Sequence, residues 1–471
     1  MSHSPLLFFG CRVSHSPLLL VAADSRVMDT IVALATAPVP AGLAVVRLSG
    51  PRSLVIVQTL AHVTALPHAQ MRFVALRVGD ELLDRGYAVG FQAPRSFTGE
   101  DVAELQVHGS LAVVDRLIAA CVDLGARMAR PGEFSQRAYE NGKLDLLQAE
   151  ALADLISARA ESGRQAALLA LDGVLSQALA ALRSPLILAI ADLEARIDFA
   201  SEPHLAEVDR PAMARRLTDL AEQLRALLGT ASAGRIRLHG ARVVLYGAPN
   251  AGKSTLFNSL CGADRALVDA RPGTTRDTVE VQTAPEGVLV TWIDTAGLRD
   301  AVDPVEQAGR LRAETEAAHA DVVIWLEDRS RPFSDLPPPQ SAAHVLRVLN
   351  KTDLPADPDW QQRADWQDAL ALSAQQNRSV QPLRAAVVAA VRASADGTLG
   401  QVALSRARHV TAVQTAVAAL DRAQAALESR FPLEMLAADL RDAALALDEL
   451  TGAIVPDDVL DAVFSSFCIG K

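Results

Sequence analysis

One short segment combines glycines, a lysine and a serine at the spacing of a phosphate-binding loop. Residues 241–254 read ARVVLYGAPNAGKS, in which an apolar run of strand type precedes the pattern G-x-x-x-x-G-K-[ST] from Gly247 to Ser254. The glycines let the backbone bend tightly, so that its N–H groups converge on phosphate oxygens at the start of the following helix. Lys253 supplies positive charge for the β- and γ-phosphates, and the Ser254 hydroxyl is a ligand for Mg²⁺. The segment therefore predicts a nucleoside triphosphate site.

A second segment indicates that the base is guanine. Residues 350–353 read NKTD and follow the apolar run HVLRVL, so Asp353 lies just beyond a predicted strand. A carboxylate at this place accepts two hydrogen bonds from the Watson–Crick edge of guanine. Adenine offers no matching pair of donors and would leave the carboxylate unpaired, which discriminates strongly between the two bases. Residues 373–374 follow ALAL and are expected to contact the base through the backbone.

Two segments between these motifs complete the predicted site. Residues 294–297 read DTAG after an apolar strand, where the Asp holds Mg²⁺ through water and the Gly N–H meets the γ-phosphate. Residues 273–277 read GTTRD, and Thr275 joins Ser254 as a predicted magnesium ligand. The residues predicted to contact GTP are Asn250, Ala251, Gly252, Lys253, Ser254, Thr255, Asp269, Ala270, Arg271, Pro272, Gly273, Thr274, Thr275, Asp294, Thr295, Ala296, Gly297, Asn350, Lys351, Asp353, Ser373 and Ala374.

Length and composition set limits on what the rest of the chain does. The 471 residues suggest about three domains, and a hydrophobic content of 50% is enough for packed cores. The net charge of −11 argues against a protein that binds nucleic acid through one overall basic field, although a local basic patch stays possible. The cysteines lie far apart without C-x-x-C spacing, which fits a reducing compartment and predicts no metal cluster: Cys11, Cys121, Cys261 and Cys468.

The N-terminal residues resemble neither a leader nor a membrane anchor. The string SHSPLL occurs twice within residues 1–27, without a Lys/Arg-rich start or one continuous apolar core, so no signal peptide is expected. We expect this segment to be a poorly ordered extension, or the result of a start codon chosen upstream of Met28. No run approaches the roughly 18 apolar residues of a membrane span. The expected location is the cytoplasm.

From Met28 onward the sequence predicts separate domains. GLAVVRLSG, RGYAVGFQAP and DVAELQVHG predict strands and SLAVVDRLIAACVDLG a helix, which together predict an α+β domain over residues 28–142. Leucines then recur at helical spacing over residues 143–239 and 396–471. These tracts flank the nucleotide-binding module at 240–395, so we predict one helical domain with a P-loop domain, mainly of parallel sheet, inserted into it. The predicted fold class is multidomain, α+β and α/β.

Several longer strings make the chain resemble a known family. They are DTIVALAT, RLSG, SFTGEDVAELQVHG, RPGEFSQRAYENGKLDLLQAEALADLI, DTAGLRD with VEQAG after it, and the terminal FSSFCIGK. On these strings the chain resembles, from Met28 to Lys471, the tRNA-modification GTPases of the MnmE (TrmE) family. The resemblance implies an N-terminal folate-binding domain that forms a homodimer, a central helical domain and an inserted GTPase domain.

The resemblance also implies a reaction and its partners. An FAD-dependent protein would join the homodimer in a heterotetramer, and together they would add a carboxymethylaminomethyl or aminomethyl-type group to C5 of the wobble uridine of certain tRNAs. The carbon would come from 5-formyl- or methylene-tetrahydrofolate, in a pocket formed by Arg47, Glu104, Lys143 and Lys471. Arginine and lysine suit the glutamate tail of folate, Glu104 suits the pterin nitrogens, and Cys468 would lie close to the one-carbon unit.

The residues that cleave GTP are assigned through the same resemblance. Small signalling GTPases carry Gln directly after D-T-A-G to orient the attacking water, and they use an arginine finger to neutralise charge. Here Leu298 occupies that position, and an aliphatic side chain cannot orient or polarise water. The family match points instead to Glu306, acting through a bridging water, and to K⁺ in place of the arginine. The predicted K⁺ ligands are Asn250, Asp269, Arg271 and Thr274, and the residues predicted to act in catalysis are Lys253, Thr275, Glu306 and Cys468.

The potassium loop departs from the family pattern. Residues 269–272 read DARP, where relatives more often carry Thr or Ser, then Asp and Ile. The loop contributes largely backbone carbonyls to the cation, while Arg271 adds a positive charge beside it. Two structural alternatives stay open: Glu306 as the first-turn carboxylate of the next helix, where it is favoured, and Asn250 as a brace for the phosphate loop.

Two other functions are compatible with the same motifs. A GTP-dependent assembly switch, for example on ribosomal particles, would co-purify with rRNA rather than with a flavoprotein. A folate one-carbon transferase regulated by GTP would turn over formyl-folate without tRNA. The predicted folate domain and the terminal FCIGK argue against the first, and the leading prediction remains a GTPase that acts in tRNA modification.

Overall fold

The structure is a computed structural model that divides into two compact units. One comprises Met1–Asn141 with Ser465–Lys471, and the other comprises Gly142–Phe464. The residues that the structure describes are 29–199, 208–262, 279–295, 313–334, 336–339, 344–395 and 402–470.

The N-terminal unit is built on a mixed sheet. Its described elements are β1 (Thr30–Leu34), β2 (Ala41–Ser49), α1 (Ser53–Ala61), β3 (Arg72–Val78), β4 (Glu81–Phe91), β5 (Val102–Gly109), α2 (Leu111–Asp123), β6 (Ala126–Met128) and α3 (Glu133–Glu140). The strand order is β3-β4-β5-β2-β1-β6. Neighbouring strands are antiparallel except for β1 and β6, which are parallel.

Alternating side chains give this sheet two covered faces. Leu48 and Leu105 point to the face on which α1 and α2 pack, and Ile56 and Leu117 from those helices fill the same core. On the other face Phe134 of α3 packs with residues of β1. Side chains in a strand alternate between the two faces, so one strand supplies both cores. The predicted α+β organisation of this part of the chain is confirmed.

The second unit combines long helices with a second sheet. In chain order its described elements are α4 (Leu146–Ser157), α5 (Glu161–Leu171), α6 (Val174–Asp198), α7 (Arg210–Gly229), α8 (Ala231–His239), β7 (Ala241–Gly247), α9 (Lys253–Cys261), β8 (Val279–Thr283), β9 (Val290–Asp294), β10 (Val322–Asp328), β11 (His344–Asn350), β12 (Leu370–Ala371), α10 (Asn377–Ala395), α11 (Ala407–Glu428), α12 (Leu433–Thr451) and α13 (Asp457–Ser465).

Helices from both sides of the sheet segment share one apolar core. Leu186 of α6, Leu217 of α7, Leu420 of α11 and Leu440 of α12 are buried in the same cluster. The regular leucine spacing places these side chains on one stripe of each helix, which is why the stripes can pack together. The two helical tracts are therefore adjacent in space although more than 150 residues separate Leu217 from Leu420 along the chain.

The sheet of this unit places the phosphate-loop strand in its interior. The order is β12-β11-β10-β7-β9-β8, and every described neighbouring pair is parallel except β8 with β9. Leu256 of α9 and Leu383 of α10 cover one face, and Tyr246, Trp325 and Trp366 pack on the other. Parallel strands end at a common edge, and ligands of such sheets bind at that edge.

Helix α6 has the length and the apolar composition that a membrane span needs, although no membrane span was expected from the sequence. It is the one described helix that does so, and only 33% of its apolar window is buried within the protein. A single such helix is weak evidence, because core helices pass the same test. Leu179, Leu186 and Leu193 of α6 belong to the helical core, and Arg183 forms an ion pair with Asp448.

Candidate functional site: the carboxyl edge of the parallel sheet

The phosphate loop connects β7 to α9, and glycine is required at both of its ends. A Cβ on Gly247 would lie 2.2 Å from the carbonyl oxygen of Leu326, and one on Gly252 would lie 2.3 Å from Nδ2 of Asn350. Gly252 also has φ +98°, which side chains rarely allow. The loop is therefore held close to the neighbouring strand and to the NKTD segment.

Lys253 is buried at the first turn of α9. Its Nζ donates hydrogen bonds to the carbonyl oxygens of Gly247 at 2.8 Å and Ala248 at 2.9 Å. Burial lowers the pKa of Lys253, while the negative charges of Asp294 and Glu327 act in the opposite direction. The ammonium is thus held within the loop that would surround the phosphates.

Hydroxyl and carboxyl groups suited to a magnesium ion lie at the same edge. Ser254 and Thr255 are exposed on the first turn of α9, and Asp294 is buried at the end of β9. Because β7 and β9 are parallel, with Leu245 opposite Asp294, the ends of the two strands coincide. Thr295 follows and donates from Oγ1 to the carbonyl oxygen of Leu245 at 2.8 Å. These oxygen donors fit a hard cation held partly by phosphate oxygens.

Asn350 joins the guanine segment to the phosphate loop. It is 2% exposed, and its Nδ2 donates to the carbonyl oxygen of Ala251 at 2.8 Å. Its Oδ1 accepts from the backbone N–H of Ala374 at 2.9 Å, and the N–H of Ser373 donates to Oγ of Ser379 at 3.1 Å. Asp353 is exposed beyond this junction. One amide side chain thus brings together three segments that the sequence assigns to GTP.

Lys351 makes a second link to the phosphate loop. Its Nζ donates to the carbonyl oxygen of Asn250 at 3.0 Å and forms an ion pair with Oδ2 of Asp328 at 2.6 Å. Burial raises the pKa of Asp328, but the hydrogen bonds from Lys351 and Ser330 and the charge of Lys351 together outweigh this effect, so the pKa is lowered. Asp328 is not predicted by the motifs; the signal in the sequence is an acidic residue that ends the apolar strand VVIWLED.

The neighbouring residue Glu327 is also absent from the predicted site. It is 2% exposed and accepts from Oγ of Ser334 at 2.6 Å. Burial raises the pKa of Glu327, and the hydrogen bonds from Ser334 oppose that shift. A carboxyl inside an apolar strand is the sequence signal that could have singled it out.

Part of the predicted site lies outside the described residues. These residues are Asp269, Ala270, Arg271, Pro272, Gly273, Thr274, Thr275, Ala296, Gly297, Leu298, Glu306 and Lys471. Among the described residues there is no group of three or more His, Cys, Asp or Glu side chains that could hold a metal ion.

Two of the predicted folate residues pair with each other in the N-terminal unit. Arg47 of β2 lies opposite Glu104 of β5, and its Nε donates to Oε1 at 2.8 Å. The two side chains are 24% and 17% exposed. The Arg47 guanidinium lies 5.7 Å from the ring centre of Phe97 and 5.9 Å from that of Phe134. Lys143, the third predicted residue, belongs to the other unit.

The terminal segment is part of the N-terminal unit. Ile469 forms an isolated bridge with Pro131, and the N–H of Gly132 donates to the carbonyl oxygen of Cys468 at 3.4 Å. The Cys468 thiol is free and exposed. Backbone contacts therefore fix the position of this cysteine beside the start of α3.

The parallel sheet, the phosphate loop and the guanine segment together define a P-loop GTPase domain. Two family models match the chain: "GTP-binding protein TrmE N-terminus" over residues 30–143 and "MnmE helical domain" over residues 146–468. The chain belongs to the MnmE (TrmE) family of tRNA modification GTPases.

Curated relatives are similar over nearly the whole chain. "tRNA modification GTPase MnmE" of Synechococcus sp. (strain JA-3-3Ab) is 41% identical over 94% of this chain and 98% of its own length. The protein of the same name from Xylella fastidiosa (strain 9a5c) is 40% identical over 95% and 99%. Among solved structures, the FeoB G-domain from Methanococcus jannaschii is 21% identical, with a TM-score of 0.22, over 32% of this chain and 97% of its own.

Proposed function

We propose that the protein hydrolyses GTP to drive a conformational cycle that is required for modifying the wobble uridine of certain tRNAs. Membership of its family makes it a GTPase enzyme of tRNA modification. GTP binding is supported by the hydrogen bonds of Asn350, which join the phosphate loop to the segments predicted to hold guanine. The wobble position and the added group rest on the family resemblance.

In this proposal the phosphate loop binds GTP through backbone N–H groups and Lys253. The helix start adds a favourable partial charge for the phosphates. Ser254 and Thr275 would hold Mg²⁺, with Asp294 contacting it through water, and the cation supplies positive charge that neutralises the phosphate oxygens. Asp353, exposed next to the junction, accepts two hydrogen bonds from guanine.

Hydrolysis is proposed to depend on Glu306 and on a potassium ion. Glu306 orients the attacking water through a second water, because direct contact would place a carboxylate beside the triphosphate. Of the four proposed K⁺ ligands, Asn250 is the one that lies within the part of the chain that the structure describes. Its backbone has φ +63°, its side chain is exposed, and Lys351 fixes its carbonyl oxygen. Lys351 occupies the backbone carbonyl oxygen, so the exposed side-chain amide oxygen of Asn250 is the atom proposed to bind the monovalent cation. Hydrolysis by this mechanism requires the GTPase domains of two subunits to meet.

The Glu306→Ala variant tests this mechanism. Turnover of GTP should fall by about 100-fold in K⁺, as for removal of other water-positioning groups, while GTP affinity stays unchanged. The wild-type protein should hydrolyse GTP much faster in K⁺ than in Na⁺. Glu286→Ala, an exposed carboxylate of the same unit, serves as the matched control. Normal turnover of Glu306→Ala in K⁺, or equal wild-type rates in both salts, would show that the mechanism is wrong.

The folate part of the proposal is supported by the chemistry of the N-terminal unit. Arg47 and Glu104 present a charged pair beside the partly exposed ring of Phe97, which suits a flat, polar pterin. The pair is already internally neutralised, so a folate carboxylate would have to share or redirect Arg47. Lys143 and Lys471 are proposed for the same ligand by family resemblance. The donor would be 5-formyl- or methylene-tetrahydrofolate.

Cys468 is proposed to act next to the one-carbon unit of the folate, consistent with its exposed thiol. The proposal also includes partner molecules. A homodimer would join an FAD-dependent partner in a heterotetramer, with tRNA as substrate, in the cytoplasm. Co-purification with rRNA in place of a flavoprotein would favour an assembly switch instead.

A further inference from the structure

We propose that Asp328 is a positioning residue for GTP binding. It holds Lys351 so that this lysine fastens the phosphate loop to the guanine segment. The inference rests on the proposed GTP site, and it assigns a role to a residue outside the recognised motifs.

The Asp328 carboxylate has a fixed orientation. It ends β10, and its side chain is 9% exposed. Oδ2 accepts from Lys351 at 2.6 Å, while Oδ1 accepts from the N–H of Ser330 at 3.0 Å and from its Oγ at 2.6 Å. Because both oxygens have partners, the carboxylate can present only one edge to the lysine. Low exposure also reduces the competition from water that weakens surface ion pairs.

Lys351 reaches from this carboxylate to the phosphate loop. An ammonium has three donors, and here one goes to Asp328 and another to the carbonyl oxygen of Asn250 at 3.0 Å. Lys351 and Asn250 both have φ +63°, a conformation that costs free energy for residues with a side chain. The shared contacts hold two strained backbone positions together.

The guanine segment thus holds two successive carbonyl groups of the phosphate loop. Lys351 binds that of Asn250, and Asn350 binds that of Ala251. A backbone hydrogen bond also joins the segment after β10 to the end of β11, since the N–H of Arg329 donates to the carbonyl oxygen of Asn350 at 3.0 Å. Only the lysine link depends on Asp328. Its loss should loosen the site for the nucleotide without removing any group that contacts the reacting atoms.

The test compares Asp328→Asn with the wild type in the full chain. We expect the dissociation constants of both GTP and GDP to rise by about 10-fold, since a hydrogen bond between charged groups is lost. The rate of nucleotide dissociation should rise with them, while kcat at saturating GTP stays the same. Asp365→Asn, an exposed side chain of the same unit, is the control and should bind as the wild type does.

A double-mutant cycle separates positioning from general destabilisation. Lys351→Met should weaken nucleotide binding by at least as much as Asp328→Asn does, and adding Asp328→Asn to Lys351→Met should have little further effect. Additive losses in the cycle, a lowered kcat with unchanged affinity, or a lowered Tm with unchanged affinity would each overturn the inference. A wild-type protein that does not bind GTP would overturn the proposed function itself.

Discussion

Asp353 and Asn350 stand three residues apart and have opposite surroundings. Asn350 is buried, and both ends of its amide are used within the protein. Asp353 is exposed, so its carboxylate is accessible to a ligand. The same short motif therefore supplies one residue that organises the site and one that would recognise the base.

Replacing Asp353 by Asn should change base preference. The amide presents a donor where guanine also has a donor, so GTP affinity should fall by about 100-fold through the loss of hydrogen bonds to a charged group. Xanthosine triphosphate, which has an oxygen at that place, should bind better than GTP. Competition of both nucleotides against a fluorescent analogue measures the change. Asp359→Asn, exposed in the same unit, is the control, and unchanged GTP affinity in Asp353→Asn would refute the assignment.

At the level of elements, sequence predicts local features far better than pairings between distant residues. The phosphate loop, its flanking strand and helix, and the leucine stripes are local, so period and spacing reveal them. The pairs Arg47–Glu104 and Asp328–Lys351 join residues 57 and 23 positions apart. They depend on strand register and strand order, which short patterns do not encode. The sequence marks Asp328 as an acidic residue at the end of an apolar strand, but it does not show that Lys351 is its partner.

Helices α4 and α11 are joined by a buried charged cluster. Glu150 of α4 is 4% exposed and accepts from Nε2 of His409 at 2.7 Å and from Arg408 at 3.1 and 3.2 Å. Burial alone raises the pKa of Glu150, but the hydrogen bond and charge of His409 and the charge of Arg408 lower it from 4.5 to about 2. The cluster thus favours the ionised carboxylate in the folded state.

The stability that Glu150 contributes should depend on pH. Because its folded pKa is depressed, the contribution is complete above the unfolded value of 4.5 and is lost as pH falls toward about 2. Glu150→Gln should cost about 3 kcal/mol of unfolding free energy at neutral pH, since it removes the buried negative charge that pairs with Arg408 and accepts from His409. The difference from wild type should narrow by about 2 kcal/mol near pH 3.

Urea unfolding at neutral pH and near pH 3 measures this difference. Glu222→Gln, an exposed side chain on α7, should match the wild type at both values. If Glu150→Gln lowers the free energy of unfolding equally at both pH values, the charge of the Glu150 carboxylate does not contribute to stability as described.

On the scale of the whole molecule, the helical core and the nucleotide sheet are continuous through α8. Arg235 of α8 forms an ion pair with Asp321, which also accepts from the N–H of Arg242 in β7 at 2.8 Å. At Gly234 a Cβ would lie 2.1 Å from the carbonyl oxygen of Leu404, so α8 packs tightly on the segment that leads to α11. Helix α8 therefore contacts both β7 and the segment that leads into the second helical tract. Sequence indicated the insertion, but not this contact.

We propose that modification of the wobble uridine requires GTP hydrolysis by this protein and a folate site that contains Arg47. Mass spectrometry of tRNA nucleosides from a deletion strain tests it most directly. The strain should lack the C5-modified uridine, and the wild-type gene should restore it. The Lys253→Met variant should fail to restore the modified nucleoside, because it lacks the phosphate-binding cation. The Arg47→Gln variant should also fail to restore it, although this variant should still hydrolyse GTP. Arg85→Gln, exposed on β4, should restore the nucleoside. Modified uridine in the deletion strain, or its restoration by Lys253→Met, would show that the modification does not require GTP hydrolysis by this protein.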